Sequence, residues 1–364
     1  MNLIMICLEA LEKIISKELP SKKVINEYLK KFELAEKDKS LFQNIIIGII
    51  NNLLYLEFLI TPFIEKKRYR LWFRPLLYLT IYRIVYLQED QEQVISESIE
   101  IAKIKDRFLS STIRIVLNEF IKTPLRRVEE LDEINYLSIK YSYPAWLVAF
   151  LLKDYSYEEV ENILKIKYNE NAQNDVIEEV LRNINPNNYA KILDLFASSS
   201  SILFELARQN KQLILDGVDP LEDNIQKLTA QAKRHSANIH FHHINPLEVS
   251  NIFTSNSCDY VICYAPSSGL AQMFKHLDYK YLLNLESINT ITLYQQKILQ
   301  NTHHLVKNGG YYIYITNTLN HDENEKQIRT FLKINPQYHL ILEKKMLPNS
   351  HQIGYYFSIL QKDL

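Results

Sequence analysis

The spacing of apolar residues changes near Ala190, and this change limits the chain to two kinds of structure in sequence order. Before it, residues 1–128 contain almost no Gly or Pro and repeat apolar residues at the three- and four-residue spacing of helices. After it, short apolar runs alternate with helical segments. The first pattern predicts an all-α bundle, and the second predicts a doubly wound, mostly parallel sheet with helices between the strands.

The second pattern can be divided into individual elements. Strands are predicted at 191–197, 213–218, 238–243, 259–264 and 311–316, followed by two antiparallel edge strands at 339–346 and 354–360. Helices are predicted at 220–235 and 287–306, and Asn308, Gly309 and Gly310 are predicted to form the turn into the fifth strand.

The run CDYVICYAPSSGL, residues 258–270, marks the predicted site. Asp259 to Cys263 has the pattern of a short buried strand, and the turn from Ala265 to Gly269 ends it. Ligands of open α/β sheets bind outside the carboxyl ends of the strands. Residues Tyr264 to Ser268 are therefore predicted to face a cofactor or substrate.

The net charge of −1 is divided unequally along the chain. Residues 1–128 contain 21 Lys and Arg against 16 Asp and Glu, a net charge of +5, which leaves −6 for the rest. The chain as a whole is not a strongly basic nucleic-acid binder, and its positive charge lies in the predicted bundle.

The cysteines and the apolar runs indicate the cellular compartment in which the protein is expected. Cys7, Cys258 and Cys263 have neither metal-binding CxxC spacing nor the number needed for a disulfide framework, so we expect a reducing cytoplasm and no metal site. No run approaches 18 uncharged apolar residues, and the apolar N-terminus lacks a basic region before it. Neither a membrane span nor a signal peptide is expected.

The turn at 264–269 resembles the DAPCSG motif of the Sun/Fmu (NOP2/Sun) family of RNA cytosine-5 methyltransferases. Tyr264 stands where the family has Asp, and Ser267 stands where it has Cys. Residues 314–324 resemble the family motif YSTCSxxPEEN, and Asn317 occupies the position of its nucleophilic cysteine. The resemblance implies S-adenosylmethionine-dependent chemistry, but no catalytic residue is assigned because the amide of Asn317 is not a nucleophile. Cys263 is expected to point to the opposite face of its strand, as a core thiol.

The cofactor motif of the family, DxCAAPGGKT, resembles the run Asp194 to Leu203. Serines replace its proline and both glycines, so backbone cannot approach a cofactor without a Cβ in the way, and ordinary affinity is not expected. The resemblance assigns cofactor contacts to Asp194, Ser200, Asp219 and Asn245. Asp219 equally fits the N-cap of a helix that begins at Pro220.

The N-terminal segments resemble, in their order, a NusB-type RNA-binding domain, as found before the methyltransferase in the bacterial 16S ribosomal-RNA branch of that family. YSYPAWLV, residues 141–148, is similar to the family segment YSHPxWLV that follows this domain. The resemblance favours phosphate contacts over a merely solvated helix face for the basic cluster, with Arg107 and Arg114 as further candidates. The cluster comprises Lys66, Lys67, Arg68, Arg70 and Arg74.

The fold class that follows is α plus α/β. We expect an all-α NusB-like bundle at 1–128, a helical connector with a shortened linker at 129–188, and a Rossmann-like S-adenosylmethionine-dependent methyltransferase domain at 189–364. The expected function is a cytoplasmic protein that binds ribosomal RNA but is catalytically inactive, with a protein partner left open. Two alternatives are an active methyltransferase with altered chemistry, such as methylation of a ring nitrogen or a ribose oxygen, and an interaction module without catalysis.

Overall fold

A computed structural model gives the structure of the protein and describes residues 2–64 and 68–364. The chain forms two compact units, Met1–Tyr168 with His276–Leu282, and Asn169–Lys275 with Leu283–Leu364. The α-helices are α1 Leu3–Leu11, α2 Ser21–Lys31, α3 Glu36–Asn51, α4 Leu53–Ile60, α5 Phe73–Val85, α6 Gln91–Lys105, α7 Arg107–Lys122, α8 Glu133–Tyr141, α9 Ala145–Leu151, α10 Tyr157–Leu164, α11 Val176–Arg182, α12 Ile202–Gln209, α13 Glu222–Arg234, α14 Tyr279–Leu282, α15 Leu285–Thr302 and α16 Glu325–Ile334. The strands are β1 Lys191–Asp194, β2 Ile214–Asp219, β3 Ile239–His243, β4 Cys258–Tyr264, β5 Val306–Thr316, β6 Tyr338–Met346 and β7 Tyr355–Lys362.

The first unit is helical, and its core is built from the apolar faces of the helices. Helix α5 is its most buried helix, with nearly every side chain inside. One of these is Arg83, whose guanidinium donates to Glu89 at 2.6 Å and to Glu97 at 2.8 Å. Such pairing is required because an unpaired charge in a core is strongly destabilising.

Residues 276–282 belong to this helical unit although they are distant from it in sequence. Leu277 is a member of its apolar core. The carboxylate of Asp278 accepts a hydrogen bond from the backbone of Ser21 at 2.6 Å. The hydroxyl of Tyr281 donates to the carbonyls of Ile50, at 2.9 Å, and Ser142, at 3.0 Å. The helical unit is thus completed by a segment of chain that follows β4.

The second unit is a seven-stranded sheet in the order β3-β2-β1-β4-β5-β7-β6. Its first five strands are parallel, and β7 pairs antiparallel with both β5 and β6. All seven strands lie where the apolar runs predicted them, and the antiparallel edge is confirmed. Apolar cores cover both faces of the sheet, as a doubly wound fold requires.

The predicted turn at Asn308, Gly309 and Gly310 is wrong, because these residues lie inside β5. The pairing of β4 with β5 shifts register between Cys258 and Tyr260, and Gly309 has a φ of +75°. The glycines therefore allow an irregular strand start rather than a turn, since a left-handed residue can be absorbed within a bulge. Strand β1 also ends earlier than predicted, at Asp194, because Ala197–Ser199 forms a 3₁₀ turn.

The length and apolarity of a helix decide whether it can span a membrane. In the described residues, no single helix is long and apolar enough to cross a bilayer. Two consecutive helical segments, Glu36–Asn51 and Leu53–Phe63, are together long and apolar enough by length and composition only, but they are bent by 71° relative to each other.

Candidate functional site

The carboxyl ends of β1, β4 and β5 lie side by side in the sheet, because β4 pairs with β1 on one side and with β5 on the other. The turn after β1, the turn after β4 and the loop after β5 therefore leave the sheet at one edge. In parallel α/β sheets this edge is where ligands bind. The predicted positions Ser200, Ser267 and Asn317 all lie in these connections.

Tyr264 and Asn317, which lie at the ends of β4 and β5, are hydrogen-bonded to each other. The Tyr264 hydroxyl donates to Oδ1 of Asn317. The amide of Asn174 donates to the Tyr264 hydroxyl at 2.7 Å and to Oδ1 of Asn317 at 3.4 Å. Nδ2 of Asn317 donates to the carbonyl of Gly354 at 3.0 Å. The oxygen and nitrogen of the Asn317 amide are thus both bonded within the protein, and Tyr264 and Asn317 are 6% and 7% exposed.

Asn174 reaches this cluster from the loop before α11, which was predicted only as a polar linker. The loop is fixed by hydrogen bonds to residues 349–353. The backbone of Gln173 donates to His351 at 2.8 Å, and the backbone of Ile353 donates to Gln173 at 2.9 Å. No sequence signal marks Asn174, because it is one polar residue in a polar run and its partner Asn317 is 143 positions away.

The cluster has no group that can attack an electron-poor base. Burial raises the pKa of Tyr264 to about 12, so its phenol is neutral at physiological pH. A carboxamide has no nucleophilic lone pair under these conditions. Ser267, at the position of the second family cysteine, is half-buried and has no hydrogen bond within residues 2–64 and 68–364. The arrangement holds two strand ends together by neutral hydrogen bonds.

Cys263 is separated from this cluster, as its place in the strand predicted. It packs in the apolar core on one face of the sheet, whereas its neighbour Tyr264 packs in the core on the other face. Burial raises the pKa of Cys263 far above its ordinary value, and burial also raises the pKa of Cys258. Neither thiol is therefore present as a thiolate.

A buried carboxylate, Glu323, joins the β4 turn to the β5 loop and was missed by sequence reasoning. It accepts hydrogen bonds from the backbone of Ser268 at 2.8 Å, from Gln295 Nε2 at 2.9 Å and from Asn320 Nδ2 at 3.1 Å. The Ser268 hydroxyl also donates to it, at 2.5 Å. Its position beside Asn324 in the run that resembles the family motif could have identified it. Glu323 fixes the geometry of the site and does not face a ligand, because it is fully buried.

Asp194 lies at the end of β1 and is fully buried. One carboxylate oxygen accepts from the backbone of Phe196 at 3.1 Å, and the other has no hydrogen-bond partner among the residues that the structure describes. Burial, with a contribution from the charge of Asp219, raises the pKa of Asp194 to about 7. The hydroxyl of Ser200 accepts from the backbone of Ile202, the first residue of α12, at 3.3 Å. A carboxyl with this pKa is only about half ionised at pH 7, and the Ser200 hydroxyl is already used within the protein.

Asp219, at the end of β2, has both carboxylate oxygens occupied. Ser198 donates to Oδ2, while the backbone of Leu221 and the amide of Asn224 donate to Oδ1, each at 3.0 Å. Helix α13 begins at Glu222 with Leu221 in the N-cap position, so Asp219 is not the N-cap. The carboxylate instead ties the serine turn after β1 to the start of α13.

The cofactor implied by the family motif does not fit these residues as they are arranged. Asp219, one of the predicted cofactor contacts, already accepts a hydrogen bond from Ser198 of the serine turn. Asn245 is exposed and caps a 3₁₀ turn by accepting from the backbone of Leu247 at 3.0 Å. The side chains of Ser200, Asp219 and Asn245 thus form hydrogen bonds within the loops that carry them or with neighbouring loops.

The basic cluster of the helical unit is described in part. Lys66 and Lys67 lie outside the described residues. Arg68 and Arg70 are exposed, and Arg70 Nε lies 4.0 Å from the carboxylate of Asp106. Arg74 donates to Glu57, which also accepts from Tyr78 at 2.6 Å. In the part of the chain that is described, no group of three or more potential metal ligands occurs.

Two stretches of the chain match known protein families. Residues 181–360 match the model of the 16S rRNA methyltransferase RsmB/F, and residues 5–134 match the NusB family. The probable ribosomal RNA small subunit methyltransferase B of Bacillus subtilis (strain 168) is 23% identical, covering 94% of this chain and 91% of its own length. The ribosomal RNA small subunit methyltransferase B of Proteus mirabilis (strain HI4320) is 22% identical, covering 99% of both chains.

The crystal structure of PH0851 has the same fold, with a TM-score of 0.71 and 17% identity over 100% of this chain and 99% of that one. The predicted fold class, a NusB-like helical domain followed by a Rossmann-like methyltransferase domain, is confirmed by these matches. The chain belongs to the RsmB/F family of 16S rRNA methyltransferases, with a NusB-family domain in its N-terminal part.

Proposed function

We propose that this protein binds small-subunit ribosomal RNA and does not transfer a methyl group to cytosine C5. The observation that carries the proposal is that Asn317 and Tyr264 stand where the family motifs put a thiolate and an acid, and that they form a cluster with Asn174. The cluster is buried, neutral and hydrogen-bonded to itself.

The missing thiolate is decisive for the chemistry. Methylation at C5 of cytosine requires a nucleophile to add at C6, because the ring carbon is otherwise too electron-poor to attack a methyl sulfonium. A thiolate serves this purpose, and neither a carboxamide nor an unassisted hydroxyl replaces it. Cys263 lies in the core on the other face of its strand, so it does not supply the missing group.

Weakened binding of S-adenosylmethionine is part of the same proposal. Ser198 and Asn224 occupy the carboxylate of Asp219, and a ligand hydroxyl would have to displace them. Ser200 and Ser201 also carry Cβ atoms where the family motif has glycines, which allow close approach of the backbone.

RNA binding is proposed for the helical unit. Its segment 1–128 has a net charge of +5, from 21 basic and 16 acidic residues. We assign phosphate contacts to Lys66, Lys67, Arg68, Arg70 and Arg74, of which Arg74 also bonds to Glu57. Arginine and lysine contacts to phosphate release counterions and supply most of the affinity of non-specific binding.

The absence of a reactive thiolate can be tested with RNA that contains 5-fluorocytosine. In the presence of S-adenosylmethionine, an enzyme that adds a nucleophile at C6 and methylates C5 stays covalently bound, because fluorine replaces the C5 proton whose loss would release it. We expect no denaturation-resistant protein–RNA band with the wild-type chain, because no thiolate lies at the site.

The matched control is the triple variant Asn317→Cys, Ser267→Cys and Tyr264→Asp, which restores the family residues. A covalent band with the wild type, mapped to Cys263 or Cys258, would contradict the proposal. Transfer of labelled methyl groups from S-adenosylmethionine to a ring nitrogen or a ribose oxygen of RNA would contradict the weakened cofactor binding and would favour an active methyltransferase with altered chemistry.

A further inference from the structure

The segment 276–282 contains a buried lysine that has no anionic partner. The side chain of Lys280 lies almost entirely inside the helical unit, with 5% exposure. Its ammonium group is 4.2 Å from the centre of the Tyr143 ring and 5.2 Å from the centre of the Tyr281 ring. Among the residues that the structure describes, this group forms no ion pair with a carboxylate and donates no hydrogen bond to an oxygen. The amine is therefore enclosed in aromatic and apolar surroundings.

This environment disfavours the charged form of Lys280. Contact with an aromatic ring stabilises a desolvated ammonium group by about 2 kcal/mol. Removal of the ammonium group from water costs several kcal/mol, and without a paired anion this cost is the larger of the two. Burial accordingly lowers the pKa of Lys280 to about 7. A lysine that is uncharged inside the protein and charged in water makes the docking of its segment depend on pH.

The titratable groups around Lys280 do not supply a compensating charge. Burial raises the pKa of Tyr143 and of Tyr281, so both phenols stay neutral at physiological pH. The carboxylate of Asp278 accepts from the backbone of Ser21 at 2.6 Å and does not pair with the lysine. The imidazole of His276 packs 6.0 Å from another tyrosine ring of the same segment. Burial is the only cause of the shifted lysine pKa, with no contribution from a neighbouring charge.

The segment that carries Lys280 is short and is held by tertiary contacts. Its helix α14 has four residues, and Leu282 at the end of it is 50% exposed. A helix of one turn is not stable without such contacts. The segment is anchored by Leu277 in the apolar core and by hydrogen bonds from Tyr281 to two backbone carbonyls. A short segment with few anchors can open locally while the longer helices remain folded.

We propose that residues 276–282 form a pH-sensitive latch of the helical unit, which is closed while Lys280 is uncharged and opens locally when Lys280 is protonated. Opening transfers the amine to water, where it binds a proton more tightly than in the closed latch. Closure therefore weakens as the pH falls from about 10 to about 7 and changes little below that. The inference depends neither on RNA binding nor on methyl transfer.

Amide hydrogen exchange of the full-length protein tests the latch, with rates corrected for the intrinsic effect of pH. We expect the protection of residues 276–282 to rise roughly 50-fold from pH 7 to pH 9, because the pKa of Lys280 is about 7 in the closed latch and 10.5 in water. Lys280→Met should be protected equally at both pH values. Lys280→Arg, which stays charged, should be poorly protected at both. The matched control Lys30→Met removes an exposed lysine of α2 and should keep the wild-type rise.

Helix α5 is the internal reference in the same experiment, because nearly all of its side chains are buried. A latch requires residues 276–282 to exchange faster than α5 at each pH, since the segment opens without the rest of the helical unit. One common rate for the segment and α5 would overturn the inference, because the segment would then open only when the unit unfolds. An equal rise in protection for the wild type and Lys280→Met would also overturn it, because another group would then carry the pH dependence.

Discussion

At the scale of single residues, the polar side chains of the site form hydrogen bonds with one another and with nearby backbone groups. Asn317 and Tyr264 bond to each other, and Asp219 accepts from Ser198, Leu221 and Asn224. A ligand that needs these groups must first break bonds inside the protein. Each such exchange loses a hydrogen bond worth about 1 kcal/mol net, or more where charge is involved.

Ser198 is therefore a test of cofactor binding. We expect Ser198→Ala to raise the affinity for S-adenosylmethionine several-fold in calorimetry, because it frees one oxygen of Asp219. Ser199→Ala removes the adjacent hydroxyl, which makes no side-chain hydrogen bond among the described residues, and it should leave the affinity unchanged. Equal affinities for the wild type and Ser198→Ala would show that Asp219 does not limit binding.

At the scale of elements, α14 shows that an element can belong to a unit far from it in sequence. Its Lys280 is 5% exposed, and its ammonium group lies 4.2 Å from the centre of the Tyr143 ring. Burial lowers the pKa of Lys280 to about 7, against 10.5 for the free side chain. In the unfolded chain the lysine binds its proton more tightly than in the folded unit.

Stability should depend on pH through this lysine. Between pH 7 and about 10 the unfolded state binds more protons than the folded state, so the contribution of Lys280 to stability rises with pH. We expect a gain of about 2 kcal/mol between pH 7 and pH 9, and Lys280→Met should lack it and be the more stable protein at pH 7.

Tryptophan fluorescence during urea unfolding measures this effect, because Trp72 and Trp146 both lie in the helical unit. The quantity to compare is the difference between wild type and Lys280→Met at each pH, since other titrating groups cancel in it. A difference that stays constant from pH 7 to pH 9 would contradict a lowered pKa for Lys280.

At the scale of the whole molecule, charge is separated along the chain, with +5 in residues 1–128 and −6 in the remainder. A polyanion is attracted to the first part and repelled by the second, and salt screens both effects. The electrostatic part of RNA affinity should therefore come from residues 1–128.

Replacing Lys66, Lys67, Arg68, Arg70 and Arg74 by Ala should flatten the dependence of RNA affinity on salt, by about 0.7 to 0.9 in slope for each phosphate that the variant no longer binds. Filter binding between about 50 and 200 mM salt, over which several phosphate contacts lower the affinity by orders of magnitude, measures the slope. The matched control replaces five exposed cations of the second unit, Arg208, Lys211, Lys227, Lys233 and Arg234, and should not change it. An unchanged slope in the first variant would place the RNA-binding surface elsewhere.

The sequence by itself determined the fold class, the order of the strands along the chain and the presence of Asn317 where the family motif has a cysteine. These depend on local properties: apolar spacing decides helix or strand, and a residue type decides whether a nucleophile exists at Asn317. Cys263 was placed correctly for the same reason, because successive strand residues alternate between faces.

Only the tertiary structure decided what occupies the site. Asn174 meets Asn317, and residues 276–282 complete the helical unit, through hydrogen bonds between positions more than 100 residues apart. Such long-range pairs leave no periodic or compositional signal, since one polar side chain in a polar run looks like any other. Even the glycines at 309 and 310 signalled a special backbone without saying whether it was a turn or a strand irregularity, because that depends on the neighbouring strand β4.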